Sequence, residues 1–150
     1  MDGAFLFLIK TNIKQFTLHK GERIKKRKEI EYLFKEGKVL TVSPLRVFYF
    51  FGKNSQPEVL QESIEKPLLK FGIGVSKRHF KKAVDRNRIK RLMREAYRLQ
   101  KLPLQNILKE KNYSLQVFFI YTGKDLPDYL LIKEKIATVL LQLQQKIVMN

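Results

Sequence analysis

The first region with a regular spacing of apolar and polar positions begins near Arg27. Ile30, Leu33 and Phe34 recur at the three- and four-residue intervals that place side chains on one face of a helix. Gly37 follows them, at a position where glycine commonly ends a helix. The pattern therefore predicts an amphipathic helix that is preceded by a short basic arm.

The spacing then changes to one that is typical of strands. The next stretch is dense in β-branched and aromatic residues and has a Ser-Pro break, which predicts two strands at about 38–42 and 45–51. A third strand is predicted at 69–77. Within it, Gly72 and Gly74 mark places where another part of the chain approaches the backbone closely.

Three further elements are predicted after a basic helical segment. A short helix follows Pro103, and residues 113–123 form an apolar run whose middle we expect to be buried on both faces. A closing helix begins after or at Pro127. Its apolar positions recur at helical spacing and are Ile132, Ile136, Val139, Leu140, Leu143 and Ile147.

The elements read α-β-β-β-α-β-α, and this order predicts an α+β fold in which helices pack on a single sheet. A length of 150 residues fits one domain. We place the domain at 16–148, with an N-terminal extension at 1–15. A long polar loop with two prolines is predicted at 52–67.

The basic helical segment has its charge on one side. With Arg86 at 0° and about 100° per residue, the cations fall between about 0° and 140°, and they are Arg86, Lys90, Lys101, Arg94, Arg98 and Arg91. The apolar set falls at about 220–340° and consists of Ile89, Leu92, Met93, Ala96 and Leu99. The wheel predicts a helix whose apolar back packs on the core and whose cationic stripe faces away from it.

The charge balance indicates what such a stripe binds. The chain has 31 Lys and Arg against 14 Asp and Glu, a formal net charge of +17, and residues 76–101 hold 11 cations but only Asp85 and Glu95 as acids. A merely solvated face usually interleaves acids, because like charges one turn apart destabilise a helix. The arginine-rich stripe therefore favours nucleic acid as the partner over a membrane surface or the substrate of an ordinary basic enzyme.

Other chemistry finds little support. The absence of cysteine excludes disulfides, thiolate nucleophiles and cysteine-rich zinc sites, and no acid cluster accompanies His19 or His79. We predict no catalytic side chain and no metal or other cofactor bound by the protein alone. The apolar run at 4–9 is too short for a signal peptide or a membrane span, so we expect a cytoplasmic protein.

Residues 74–98 resemble the signature of the bacterial ribonuclease P protein subunit. Their sequence, GVSKRHFKKAVDRNRIKRLMREAYR, matches a strand ending in Val-Ser-Lys, a basic link and the run A-V-x-R-N-R-I-K-R-x-x-R. A looser similarity extends over about residues 16–146. Ile30 departs from the family pattern, in which a second aromatic residue is common, and Gly74 stands where serine is common.

The resemblance implies the family's α+β fold, which is shared with the second domain of a small-subunit ribosomal protein and contains a left-handed βαβ crossover. It implies a protein that is monomeric alone and joins one catalytic RNA, which removes the 5′ leader from precursor tRNA hydrolytically. Catalysis would be carried by the RNA, with magnesium ions held mainly by the RNA. The protein would bind the leader and stabilise the active RNA and its metal ions.

The resemblance also implies roles for individual residues. Those that would contact the catalytic RNA are Lys77, Arg78, Arg86, Asn87, Arg88, Lys90, Arg91, Arg94 and Arg98. Ile30, Phe34 and Tyr49 would line a leader-binding cleft between the sheet and the first helix. From the residues alone, Phe34 and Tyr49 also fit core packing, Asn87 also fits a turn or helix start, and Asp85 fits either an N-cap or the first turn.

Two other functions compete with this hypothesis. A structural RNA-binding module of the same fold, such as a ribosome-associated protein, would have the same surface chemistry, and the Arg-Asn-Arg-Ile-Lys-Arg match is what favours the ribonuclease P subunit. A stand-alone nuclease would need a cluster of acids to hold its metal ions, which the sequence lacks.

Overall fold

The computed structural model describes residues 18–53 and 67–149. The predicted extension at 1–15, with its apolar run, and most of the predicted loop at 52–67 lie outside the described residues. Along the chain the elements are a 3-10 turn (Lys20–Glu22), α1 (Arg27–Glu36), β1 (Lys38–Val42), β2 (Leu45–Lys53), β3 (Leu69–Val75), α2 (Ala83–Gln100), α3 (Leu102–Lys111), β4 (Tyr113–Tyr121) and α4 (Tyr129–Met149). Each predicted helix and strand is present among them.

The four strands form one mixed sheet in the order β1-β2-β4-β3. β2 pairs antiparallel with both β1 and β4, whereas β3 and β4 are parallel and are connected through α2 and α3. Together with helices packed on this sheet, the arrangement confirms the predicted α+β fold. The connection from β3 to β4 is the βαβ unit that the resemblance implies, and its left-handed sense stays a prediction.

Alternation along the strands gives the sheet two different faces. The odd-numbered residues of β2 and β4, from Leu45 to Phe51 and from Leu115 to Tyr121, face the main core under α2, α3 and α4. All six apolar positions predicted for α4 are buried in that core. The even-numbered residues Phe48, Phe50, Phe118 and Ile120 face the other way, toward α1.

Glycines shape the face that α1 covers. A Cβ atom on Gly72 would collide with the Phe118 ring, and one on Gly74 would lie 3.1 Å from it, which confirms the predicted close approach at both positions. Gly37 ends α1 as predicted, but its φ of −76° is ordinary. Glycine suits this position because a Cβ atom would crowd the backbone carbonyls of Leu33 and Tyr49.

α2 is amphipathic as the wheel predicts, but the side that it buries is rotated from the predicted one. Ile89, Met93 and Ala96 are buried as expected, but Leu92 is only half-buried and Leu99 is exposed. Tyr97, at about 20° on the wheel, is buried and stacks on Phe71 of β3 with ring centroids 4.3 Å apart. Because α2 packs against β3 through Tyr97, the buried side of the helix extends to about 20° on the wheel, between the positions of Arg86 and Lys90.

Candidate RNA-binding surface

Five of the cations that the resemblance assigns to RNA binding are exposed on α2 and on the link before it. We call them the basic surface, and they are Lys77, Arg78, Arg88, Arg91 and Arg94. The link is held against the core by Phe80, which is buried beside Tyr121 with ring centroids 6.0 Å apart. The Ser76 hydroxyl accepts a 3.2 Å hydrogen bond from the Arg78 backbone N–H, which closes the turn at the end of β3. The link therefore presents its cations from a defined position.

Arg86 connects the link to the helix. Its Nη1 donates hydrogen bonds of 2.8 Å to the backbone carbonyls of both Phe80 and Lys81. A guanidinium has five N–H donors, so Nε and Nη2 remain for a ligand. The first arginine of the Arg-Asn-Arg motif thus braces the basic surface, a role that was not predicted from the sequence.

The start of α2 resolves two alternatives that the sequence left open. The helix is preceded by Lys82, which occupies the N-cap position. Asp85 therefore lies in the first turn, where a negative side chain is favourable next to the helix N-terminus. Asn87 is exposed in the second turn and is not a cap or turn residue, whereas Lys90 is half-buried.

The middle of α2 holds cations that repel one another. The pKa of Arg94 is lowered by partial burial of the guanidinium and by the nearby positive charges of Arg23 and Arg91. Like charges lower the pKa of a base because they disfavour its charged form. Anionic groups bound here would relieve that repulsion, which is the electrostatic property expected of a phosphate-binding surface.

The C-terminal end of α2 differs from the prediction. Arg98 donates two hydrogen bonds to Glu95, of 3.1 Å from Nε and 2.6 Å from Nη2, and this pairing raises the pKa of Arg98. Lys101, which the wheel placed on the outward stripe, is 1% exposed. Its Nζ lies 2.9 Å from a carboxylate oxygen of Glu22. The prediction for Lys101 is wrong because the turned helix brings this position against the 3-10 turn.

The three predicted leader-binding residues do not share one surface. Phe34 is 41% exposed, and its ring centroid lies 4.6 Å from that of Phe48 and 5.2 Å from that of Phe118. Ile30 packs partly buried in the same cluster. Tyr49 is 4% exposed and lies in the main core, on the opposite face of the sheet. Phe34 packs on the sheet face that carries Phe48, and the next strand residue, Tyr49, points to the opposite face. Tyr49 therefore cannot line a cleft together with Phe34.

Sequence reasoning missed the residues that complete the aromatic surface around Phe34. Phe48 and Phe118 lie beside it, and the Arg46 guanidinium stands 5.3 Å from the centroid of the Phe48 ring. We call Phe34, Phe48, Phe118 and Arg46 the aromatic cleft. The sequence of β2 contains a pattern that could have identified Phe48. The apolar Leu45 and Val47 place the odd-numbered residues of β2 in the core, so Phe48 points to the other face of the sheet.

Neither a metal site nor a membrane span occurs in the part of the chain that the structure describes. Residues 18–53 and 67–149 contain no group of three or more His, Asp or Glu side chains that could hold a metal ion. Over the same ranges, no helix has the length and apolarity to cross a bilayer.

Known proteins are similar to this chain over most of its length. The family model described as Ribonuclease P matches residues 18–143. A Porphyromonas gingivalis protein named ribonuclease P protein component is 40% identical over 119 residues, covering 79% of this chain and 80% of that protein. A Chlorobium phaeobacteroides protein of the same name is 33% identical over 131 residues, 83% of this chain and 86% of that protein. The structure of the RNase P protein from Thermotoga maritima aligns with a TM-score of 0.57 and 25% identity, covering 81% of this chain and 96% of that one.

Proposed function

The chain belongs to the ribonuclease P protein family, and from that premise we propose that it assists a catalytic RNA in removing the 5′ leader from precursor tRNA. The match of the family model to residues 18–143 is the observation that carries the proposal. Two surfaces of the protein would bind different RNA molecules. The basic surface binds the catalytic RNA, and the aromatic cleft binds the leader.

The basic surface suits a folded RNA because its cations are mostly arginine. A guanidinium pairs with phosphate through two parallel hydrogen bonds, which gives direction as well as charge. Arg88 and Arg91 are exposed on a helix that is packed firmly on the core, and the brace from Arg86 fixes the link beside them. The helix and the link that carry these side chains are therefore held in place before the RNA binds.

The aromatic cleft suits a single strand of variable sequence. Stacking of a base on an exposed ring such as that of Phe34 is worth about 1–3 kcal/mol and tolerates any base. Arg46 adds a positive charge beside the rings for the leader's phosphates. Phe48 and Phe118 contact the Phe34 ring, and Ile30 is partly buried in the same apolar cluster as these two residues.

The hydrolytic step is assigned to the RNA. Magnesium ions held by the RNA would supply the activated water. The protein neutralises phosphates near these ions and thereby stabilises the RNA fold that holds them. In this proposal one protein binds one RNA, and the complex acts in the cytoplasm.

Cleavage of precursor tRNA at low magnesium tests the proposal. We expect the purified chain, mixed with the ribonuclease P RNA of its source organism, to accelerate formation of the mature 5′ end. The double variant Arg88→Ala/Arg91→Ala is the matched control, because both side chains are exposed and their loss should leave the fold intact. Failure of the wild-type protein to accelerate cleavage would refute the proposal.

A further inference from the structure

A buried carboxylate joins two distant parts of the chain. Glu22, in the 3-10 turn, is buried and accepts hydrogen bonds from the Lys101 ammonium at 2.9 and 3.1 Å. Its two oxygens also accept from the Gln105 side chain at 2.9 Å and from the His19 backbone N–H at 2.7 Å. Glu22 therefore fixes the 3-10 turn to the corner between α2 and α3.

The residues after the turn are fixed a second time, to the edge of the sheet. The Ile24 backbone N–H donates a 2.8 Å hydrogen bond to the Phe71 carbonyl, and the Ile24 side chain is buried. Arg23 forms a parallel bridge with Phe71. Arg23 thus stands between two buried residues, Glu22 and Ile24, while its own side chain is exposed.

This attachment brings Arg23 to the middle of α2. Phe71, its bridge partner, stacks on Tyr97, which lies one helical turn beyond Arg94. The positive charge of Arg23 acts on Arg94 more strongly than that of Arg91 does, and both lower its pKa, after the effect of burial. The ion pairs found among the described residues include none of these three arginines.

We propose that Arg23, Arg91 and Arg94 form one phosphate-binding site for the catalytic RNA, and that the buried Glu22–Lys101 pair positions Arg23 within it. The inference rests on the proposed function, which supplies the RNA. A buried ion pair adds little net stability compared with apolar packing, but its hydrogen bonds define one geometry. Such a device suits a turn that must deliver a cation to a fixed place.

The first test is the affinity of the full chain for ribonuclease P RNA at several salt concentrations. We expect Arg23→Ala to weaken binding about tenfold at 0.15 M salt, as loss of one charge-assisted contact does. The slope of log affinity against log salt should fall by about 0.7–0.9. Arg27→Ala is the matched control, because Arg27 is exposed, close in sequence and already paired with Glu31. An effect of Arg23→Ala no larger than that of Arg27→Ala would overturn the site.

The second test asks whether Glu22 acts through Arg23. In Glu22→Gln, and in Glu22→Asp, which keeps the charge but shortens the side chain, we expect the same loss of slope as in Arg23→Ala. Combining Glu22→Asp with Arg23→Ala should weaken binding no further than Arg23→Ala alone. A purely structural role predicts a lower unfolding midpoint with an unchanged slope in the folded variants, and that result would overturn the positioning role.

Arg88→Ala separates failure of this inference from failure of the proposed function. If the wild-type chain does not bind ribonuclease P RNA, or if Arg88→Ala binds as tightly as wild type, the proposed function fails and the inference fails with it. If the wild type binds and Arg88→Ala weakens binding while Arg23→Ala does not, the inference alone is overturned.

Discussion

Among residues 18–53 and 67–149, no acid is paired with Arg91 or Arg94 in the middle of α2, whereas Arg98 and Lys101, near its C-terminus, are each bound to a glutamate. The contrast also appears in the pKa values. Burial and neighbouring cations lower that of Arg94, and the hydrogen bond to Glu95 raises that of Arg98. Side chains of one charge on one helix thus serve two purposes. The cations in the middle of α2 are available to an external anion, whereas those at its end form ion pairs within the protein.

The largest effect should come from breaking the buried pair at the end of α2. We expect Lys101→Ala to lower the free energy of unfolding by about 3–5 kcal/mol, because it leaves Glu22 buried without its counter-charge. Denaturation by urea measures the change. Arg98→Ala is the control on the same helix, and its loss should be about 0–1 kcal/mol because the pair with Glu95 is partly exposed. Equal losses in the two variants would remove the distinction between them.

The next effect concerns the aromatic cleft, and it tests whether leader binding is separate from the basic surface. We expect Phe34→Ala to weaken binding of a long-leader precursor tRNA to the holoenzyme by about 1–3 kcal/mol, because one stacking platform is lost. Binding of mature tRNA should not change. Tyr49→Phe is the control, since Tyr49 lies on the opposite face of the sheet. A loss of equal size for mature tRNA would contradict the assignment of the cleft.

The smallest of these effects distinguishes the two parts of α2 in RNA binding. We expect Arg91→Ala to weaken binding to ribonuclease P RNA by about 1.4 kcal/mol and to reduce the salt dependence, because a phosphate contact and its released counterions are lost. Arg98→Ala should change less, since Glu95 already neutralises that charge. Titrations at several salt concentrations measure both quantities. An unchanged slope for Arg91→Ala would mean that this arginine is only solvated.

Much of the fold follows from local patterns. The six buried positions of α4 could be predicted because their spacing places them on one face of a long helix. β2 could be located from its density of β-branched and aromatic residues, and β4 from an uninterrupted apolar run. The close approach at Gly72 and Gly74 could be predicted because glycine inside a strand leaves room for another group, here the Phe118 ring.

The phase of α2 and the composition of the candidate site could not be predicted in this way. Tyr97 is amphipathic, so only its contact with Phe71 decides that it is buried. Lys101 reads as a surface cation until Glu22, 79 residues away in the chain, is seen beside it. The assignment of Tyr49 to the cleft is different, because Leu45 and Val47 already place the odd-numbered residues of β2 on the core face.

A proximity probe on α2 tests most directly whether the basic surface faces the catalytic RNA. The chain has no cysteine, so Val84→Cys and Leu130→Cys each create a single attachment point for a chelated iron that cleaves nearby RNA. Val84 lies at the start of α2 and is 76% exposed, and Leu130 is 73% exposed on α4. We predict strong, localised cleavage of ribonuclease P RNA from position 84 and little from position 130. Equal cleavage from both positions, or stronger cleavage from position 130, would contradict the assignment of α2 as the RNA-binding element.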